Sequence, residues 1–163
     1  MRTTPFILVP LDDDNLSAVA QLHVQEFAAL GHTPARALEE LCRGECQTAV
    51  ALSEKGAVIG YAQARADGAT CWLSWMSVAK KHRRTGAGAA LLKSLRAWAK
   101  TLKSTTIETE TRNRFQAALH FYLASGFEIV GTRQGADGDT MIRLRLAIAG
   151  PGVRKYKSVG ERS

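Results

Sequence analysis

The chain has 163 residues, of which 45% are hydrophobic and 23% are charged. The length fits a single compact domain, and the composition is close to that of average soluble proteins, which excludes a disordered, collagen-like or coiled-coil chain. No apolar run approaches the ~20 residues that span a bilayer, and the run at residues 6–9 is too short for the core of a signal peptide. We therefore expect a cytoplasmic protein with one domain at residues 1–149 and a basic, mobile tail at residues 150–163.

The charges are unevenly distributed along the chain. The net charge is +7 and the isoelectric point is near 9.7. Residues 80–103 contain eight lysines and arginines and no acid, whereas residues 1–54 contain eight of the 15 acids. The first of these segments is suited to bind phosphates and the second to attract a cation.

The cysteines indicate a reducing compartment. Cys42, Cys46 and Cys71 are too few for a disulfide framework, and their spacing provides no second pair of zinc ligands. We expect three structural thiols and no metal site.

The hydrophobic pattern predicts four strands and two helices in the first half of the chain. The strands are residues 6–9, 48–53, 58–66 and 70–78, and the helices are residues 16–30 and 33–44. We expect the acids at residues 12–14 to cap the first helix and Gly31 to end it. The last three strands have short connections that contain glycine, which favours an antiparallel meander.

The second half of the chain alternates helices and strands. Helices are predicted at residues 86–102 and 114–125, the latter ended by Gly126, and strands at residues 105–111, 128–132 and 140–148. The order is β α α β β β α β α β β. It predicts an α/β (or α+β) fold, a mixed central sheet of about seven strands flanked by about four helices.

A basic, glycine-containing loop links the fourth strand to the long helix. Gly86 and Gly88 allow backbone N–H groups to approach a ligand. The helix N-terminus adds about half a positive charge, and Arg83 and Arg84 add full charges. The segment therefore predicts a diphosphate site, although the glycines would also suit a tight turn and close helix packing.

A dinucleotide site is an alternative for the same loop. Gly86 and Gly88 resemble the first half of GxGxxG, and Glu108 lies about twenty residues further on. However, residues 79–85 separate the strand from the glycines, and the preceding strands form a meander rather than a βαβ unit. We therefore do not favour this interpretation.

Two segments resemble motifs of the GNAT superfamily of acyl-CoA-dependent N-acyltransferases. They are Arg83-x-x-Gly86-x-Gly88 after the strand at residues 72–78, and Ala118-x-x-x-Tyr122-x-x-x-Gly126-Phe127. The element order matches the GNAT fold, and the similarity covers about residues 3–148. The resemblance implies an N-acetyltransferase that moves an acetyl group from acetyl-CoA to a primary amine by direct attack in a ternary complex.

The resemblance also implies where acetyl-CoA binds. The backbone of Met76, Ser77 and Val78 would bind the pantetheine arm, and the following loop would wrap around the pyrophosphate. The loop residues are Arg83, Arg84, Thr85, Gly86, Ala87, Gly88 and Ala89. Tyr122 matches the tyrosine that stands near the CoA sulfur, and its implied role is that of general acid.

The sequence departs from the family pattern near the expected base. The family asparagine lies seven residues before the tyrosine, where this chain has Phe115, so either Asn113 shifts into place or the contact is lost. Counting five residues further back gives Glu110 from position 115 and Glu108 from Asn113. Because Glu108 and Glu110 are two residues apart on a strand, their side chains lie on the same face. We prefer Glu110 as the base, with Glu108, a water-relayed base or selection of neutral amine as alternatives.

The acceptor and other functions stay open. The resemblance places the acceptor beside the first two helices and the last hairpin, and these helices carry Glu26, Glu39, Glu40 and Glu45. These acids either attract a cationic small molecule or protein amine or are ordinary exposed helix acids. His23 and His32 have no evident partner in the sequence.

Two other functions are compatible with parts of the sequence. One is a non-catalytic acyl-CoA sensor on the same fold. The other is a nucleic-acid-binding domain, which the scattered aromatic residues argue against. We expect no membrane partner, and the sequence permits a homodimer through the C-terminal strands.

Overall fold

The computed structural model describes residues 5–148, and these form one mixed sheet with helices on both faces. The strands are β1 (Phe6–Pro10), β2 (Cys46–Ser53), β3 (Val58–Asp67), β4 (Thr70–Val78), β5 (Thr106–Arg112), β6 (Glu128–Gln134) and β7 (Thr140–Ala147). The helices are α1 (Leu16–Phe27), α2 (Pro34–Leu41), α3 (Ala87–Thr101) and α4 (Gln116–Ala124). The predicted tail at residues 150–163 lies outside the described residues. The predicted fold class and element order are confirmed.

The ends of the first two helices differ from the prediction. Asn15, not one of the three acids, precedes α1, and no side chain caps the helix. Asp12 instead accepts the N–H groups of Asp14 and Asn15, both at 3.0 Å, and stabilises the turn before the helix. Helix α2 ends at Leu41 rather than near Gly44, because the chain turns there to enter β2.

The strand order is β1-β2-β3-β4-β5-β7-β6, so β7 is inserted between β5 and β6. Strands β1 to β4 form the expected antiparallel meander. Strands β4 and β5 are parallel, and their ladder pairs only Thr70–Trp72 with residues 106–108. Beyond Trp72 the two strands separate, and β4 bulges at Ser74, since Leu73 and Trp75 pair with consecutive residues of β3.

The alternation of side chains along β4 separates two cores. Met76 packs into the larger cluster with α3 and α4, which includes the buried Leu91 and Leu95. Trp75 packs into the second cluster with α1 and α2, which includes the buried Val19 and Tyr61. The helices therefore cover the two faces of the sheet in pairs, and the opening between β4 and β5 connects the faces.

Candidate functional site

The loop after β4 has the backbone conformation of an anion-binding helix entry. After a short 3-10 turn at Lys80–His82, Arg84 has a φ of 62° and Gly86 a φ of 89°, and α3 begins directly afterwards. The first hydrogen bond of this helix runs from the N–H of Ala90 to the carbonyl oxygen of Gly86. The N–H groups of the residues before Ala90 therefore have no partner within the helix. A Cβ at Gly86 would meet no atom within 4 Å, so the positive φ is what favours glycine there.

Gly88 serves close packing instead. A Cβ on this residue would lie 3.2 Å from Cε2 of Phe121 and 3.5 Å from Cε of Met76. The small side chain lets α3 approach α4 and β4. Close packing therefore explains Gly88, in the first turn of α3, and the positive φ of the preceding turn explains Gly86. Neither role uses the N–H groups at the start of the helix.

The side chain of Arg83 is directed to the first helix. Its Nη2 donates to Oε2 of Glu26 at 2.8 Å, and its Nε donates to the carbonyl oxygen of Val78 at 3.1 Å. These bonds fasten the loop to α1. Because Glu26 is paired in this way, it is not a free carboxylate for a cationic ligand, and the sequence analysis missed this pair of residues 57 positions apart.

A slot opens where β4 and β5 separate, with a volume of about 260 Å³. We call it the β4–β5 slot. Its lining residues are Phe27, Leu30, Trp72, Leu73, Ser74, Trp75, Met76, Thr109, Glu110, Thr111, Arg112, Phe115, Ala118, Tyr122 and Met141. The volume suits the reacting ends of two ligands rather than a whole nucleotide cofactor.

The edge of β4 that faces the slot has no strand beside it. From Trp75 to Val78, β4 pairs with β3 on one side, and the ladder with β5 has already ended. The hydroxyl of Thr109 bridges the strands at their point of separation, donating to the carbonyl oxygen of Leu73 at 2.9 Å. The remaining main-chain groups of this edge can accept an extended ligand as an added strand. Of the predicted β4 contacts, Met76 lines the slot, and Ser77 and Val78 continue the strand towards the loop.

Tyr122 is buried at the slot, and its ring packs against Phe121 and Phe127 with centroids 5.5 and 5.2 Å apart. Burial raises the pKa of Tyr122 to about 12, and a hydrogen bond with Thr109 acts in the opposite direction. The phenol is therefore protonated at neutral pH. A buried O–H group that stays protonated is thus present at the slot.

Of the two candidate bases, only Glu110 lines the slot. Both of its oxygens are occupied by Arg133, whose Nε donates at 3.0 Å and whose Nη2 donates at 2.6 Å. Glu108 is buried, and Arg143 and Arg145 donate to it. Burial alone would raise the pKa of Glu108, but these hydrogen bonds outweigh it and hold the pKa below its usual range. The two acids share a face of β5, as their spacing predicts.

Phe115, not Asn113, stands at the slot. Phe115 precedes α4 and lines the slot. Asn113 is exposed, and its backbone N–H donates to the carbonyl oxygen of Thr140 at 2.9 Å. The departure from the motif therefore places an apolar ring where an amide was expected.

A buried polar cluster that the sequence analysis missed lies behind the slot. Nδ1 of His23 and the hydroxyl of Tyr61 share a hydrogen bond, and Nε2 of His23 lies 2.8 Å from Nδ1 of His32. The ring of Trp75 meets both imidazoles edge-on with centroids 5.0 Å apart. Burial, followed by the charges of His32 and Arg36, lowers the pKa of His23 to about 4. The place of His23 on the apolar stripe of α1 was the available signal that it is buried.

The acidic side chains of the first two helices do not gather at the slot. Glu40 pairs with Arg43 at 3.5 Å, and Glu39 is exposed and outside the slot lining, as is Glu45 in the turn between α2 and β2. Among residues 5–148, no group of three or more His, Cys, Asp or Glu side chains is placed to hold a metal ion. No helix in this part of the chain is long and apolar enough to cross a membrane.

These features define an α/β domain with a glycine-containing helix entry after β4 and a slot whose lining residues come from both faces of the sheet. Residues 16–127 match the model of the acetyltransferase (GNAT) family. The match covers well over half of the chain, and the protein belongs to this family.

Solved structures share the fold. An aminoglycoside 6'-N-acetyltransferase complexed with coenzyme A is 18% identical, with a TM-score of 0.76 over 88% of this chain and 98% of that chain. Ard1 from Thermoplasma volcanium is 17% identical, with a TM-score of 0.77 over 89% and 99%. The ribosomal-protein-S18-alanine N-acetyltransferase from Escherichia coli is 20% identical, with a TM-score of 0.74 over 94% and 100%. None of the curated proteins compared with the chain matches it.

Proposed function

We propose that the protein is an N-acetyltransferase that moves the acetyl group of acetyl-CoA to a primary amine, which attacks the thioester directly in a ternary complex. The observation that carries this proposal is the unpaired edge of β4, which runs along the slot between Tyr122 and the glycine-containing loop. Family membership supports the reaction class. The coenzyme A held by an aminoglycoside 6'-N-acetyltransferase of the same fold supports the donor.

The donor would lie along β4 and end at the loop. Main-chain groups of Met76, Ser77 and Val78 would bind the pantetheine arm as an added strand. The pyrophosphate would receive N–H groups of the loop and the start of α3, within the positive field of the helix end. The loop residues are Arg83, Arg84, Thr85, Gly86, Ala87, Gly88 and Ala89. Arg83 would act chiefly by holding the loop against Glu26, and Asn113 has no donor contact in this proposal because it lies outside the slot lining.

The chemistry needs a neutral amine, a polarised carbonyl and a protonated leaving group. The amine nitrogen forms a bond to the thioester carbon, and a backbone N–H of β4 near Met76 stabilises the oxyanion that develops. When the C–S bond breaks, Tyr122 donates its proton to the departing sulfur. The phenol is suited to this because it is buried at the slot and stays protonated at neutral pH.

The amine must also lose a proton. Of the two candidate carboxylates, Glu110 is the one placed to accept this proton, because it lines the slot. It can accept a proton only when Arg133 moves aside from at least one of its oxygens. A water relay, or selection of amine that is already neutral, performs the same step without that movement.

A non-catalytic acyl-CoA sensor is the second candidate, favoured by the pairing of Glu110 with Arg133. Calorimetric titration with acetyl-CoA, with NADH as the control, tests the donor site for both candidates. Saturable binding of acetyl-CoA supports both, and its absence refutes both. Binding of NADH alone would favour the dinucleotide interpretation.

Turnover separates the enzyme from the sensor. We expect Tyr122→Phe to lower kcat about 100-fold, the lower range for a general acid, with an unchanged Kd for acetyl-CoA. Ser104→Ala is the control because, among the described residues, it removes a buried hydroxyl that has no hydrogen-bond partner and does not line the slot. Wild-type protein that binds acetyl-CoA and acetylates no amine would instead be a sensor.

A cytoplasmic location belongs to this proposal, and the three free cysteines support it.

A further inference from the structure

The slot has different walls on the two faces of the sheet. The donor side carries Tyr122 and Met76, which belong to the core cluster around α3 and α4. The opposite side carries apolar residues contributed by α1, the turn after it, β4 and β7. These five residues, Phe27, Leu30, Trp72, Trp75 and Met141, form what we call the acceptor wall. An amine that attacks a donor bound along β4 must approach from this wall.

The acceptor wall is rigid at its centre. Trp75 meets Phe27 at 5.1 Å between ring centroids and is held edge-on by the two buried histidines at 5.0 Å. His23 in turn is fixed by its hydrogen bonds to Tyr61 and His32. A wall fixed in this way presents a preformed apolar surface, which favours an apolar ligand because little side-chain freedom is lost on binding.

The charged groups at the slot are already paired. Among the described residues, Glu110 and Arg112 are the ionisable side chains that line the slot besides Tyr122. Glu110 is engaged twice by Arg133. Nη1 of Arg112 donates to Oδ2 of Asp139 at 3.0 Å and also bonds to Asp137. Neither side chain therefore offers a free charge to the substrate.

This pairing discriminates between classes of amine. A second ammonium group on the acceptor would lose its hydration at the wall and find no unpaired carboxylate, which is unfavourable. A hydrocarbon or aromatic body has no charged group whose hydration is lost, and it gains contact with Phe27 and Trp75. The paired carboxylate and the apolar wall thus favour the same substrates.

We propose that the acceptor is a monoamine with an apolar body, aliphatic or aromatic, rather than a polyamine, an aminoglycoside or a basic peptide. This inference rests on the proposed function and specifies its second substrate. The Glu110–Arg133 pair acts as the specificity determinant, because it cancels the one carboxylate that could receive a second positive charge.

Two amines of equal length test the substrate class directly. Hexylamine and hexane-1,6-diamine differ only in the terminal ammonium group. We expect kcat/KM to be about tenfold or more higher for hexylamine, which corresponds to a difference of about 1.4 kcal/mol. A diamine that is acetylated equally well or better would overturn the proposal, as would a protein that acetylates spermidine or a basic peptide but not hexylamine.

A charge-removing variant tests the specificity determinant. Arg133→Gln frees the carboxylate of Glu110, and the side chain of Arg133 is 59% exposed, so its loss leaves no cavity. We expect the preference for hexylamine to fall at least threefold. Taking the ratio of the two amines cancels any effect of the variant on the base itself. Arg145→Gln is the matched control, because Arg145 pairs with Glu108, which does not line the slot. An unchanged ratio in Arg133→Gln, or an equal change in Arg145→Gln, would contradict the proposed determinant.

Binding measurements separate failure of this inference from failure of the proposed function. Trp72 and Trp75 line the slot, so intrinsic fluorescence in the presence of CoA reports an amine bound at the acceptor wall. If acetyl-CoA binds and no amine is acetylated, the catalytic proposal fails. The acceptor inference then stands when the Kd from fluorescence quenching is lower for hexylamine than for the diamine, and it is overturned when hexylamine does not bind.

Discussion

Acidification should destabilise this protein well above the pH at which its carboxylates titrate. His23 is fully buried between Tyr61 and His32, and its pKa is lowered from 6.5 to about 4. The unfolded chain therefore binds a proton at this imidazole at a higher pH than the folded protein does. As pH falls from 6.5 towards 4, protonation favours the unfolded state, and the free energy of unfolding decreases.

The magnitude follows from the pKa difference. Each pH unit between the unfolded and folded pKa values costs about 1.4 kcal/mol. Lowering the pH from 7 to 5 therefore removes about 2 kcal/mol from the free energy of unfolding, a large share of the stability of a small domain. His32, whose pKa is also lowered by burial, adds in the same direction. The paired Glu108 contributes only at lower pH, because its unfolded pKa is 4.5.

Urea denaturation at pH 7, 6 and 5 measures this loss. His23→Gln keeps a neutral hydrogen-bonding side chain at every pH, and we expect it to remove at least half of the loss seen in the wild type. His120→Gln is the control, because His120 is exposed on α4. A wild-type loss below about 0.5 kcal/mol between pH 7 and 5 would refute the argument. So would a His23→Gln variant that keeps the whole dependence.

Two further predictions concern stability, one the close packing of Gly88 and the other the buried carboxylate of Glu108. Gly88→Ala should lower the free energy of unfolding by about 1 kcal/mol, because overpacking against Phe121 outweighs the better helix propensity of alanine. Urea denaturation of Gly88→Ala with and without Phe121→Leu checks this, and a second substitution that brings no relief would argue against the contact. Glu108→Gln should cost about 2 kcal/mol at pH 7, because it removes the charge that Arg143 and Arg145 share at a buried position. A Glu108→Gln variant that unfolds at the same urea concentration as the wild type would contradict a stabilising role of these ion pairs.

The helices and strands could be predicted because their signals are local. The apolar stripe of α3 and the glycines between the meander strands are visible within windows of ten to twenty residues. The start of α1 at Leu16 was predicted, but the capping residues were wrong for a local reason, since the side chain of Asp12 bonds within the turn before the helix and Asn15 precedes α1. Competing hydrogen-bond partners for one carboxylate are not distinguishable from spacing alone.

The ion pairs at the slot could not be predicted, because each joins elements that are distant in the chain. Glu26 and Arg83 are 57 residues apart, and Glu110 and Arg133 are 23 apart. The first pair depends on how α1 lies across the end of β4, and the second on the insertion of β7 between β5 and β6. Without that topology, the sequence identifies no partner for Glu26, His23 or His32.

The two halves of the slot therefore differ in how strongly they depend on individual side chains. The half that we propose for acetyl-CoA consists largely of main-chain groups, at the edge of β4 and the start of α3, where glycines mark the loop in the sequence. The acceptor half consists of side chains, Trp75 and the Glu110–Arg133 pair among them, which topology brings together. On the proposed function, we expect substitutions on the acceptor side to change the class of amine without altering the main-chain groups proposed to bind the donor. Related chains can then share the loop between β4 and α3 and differ in substrate. The acceptor of each chain must therefore be inferred from the side chains that line its slot rather than from the sequence motifs.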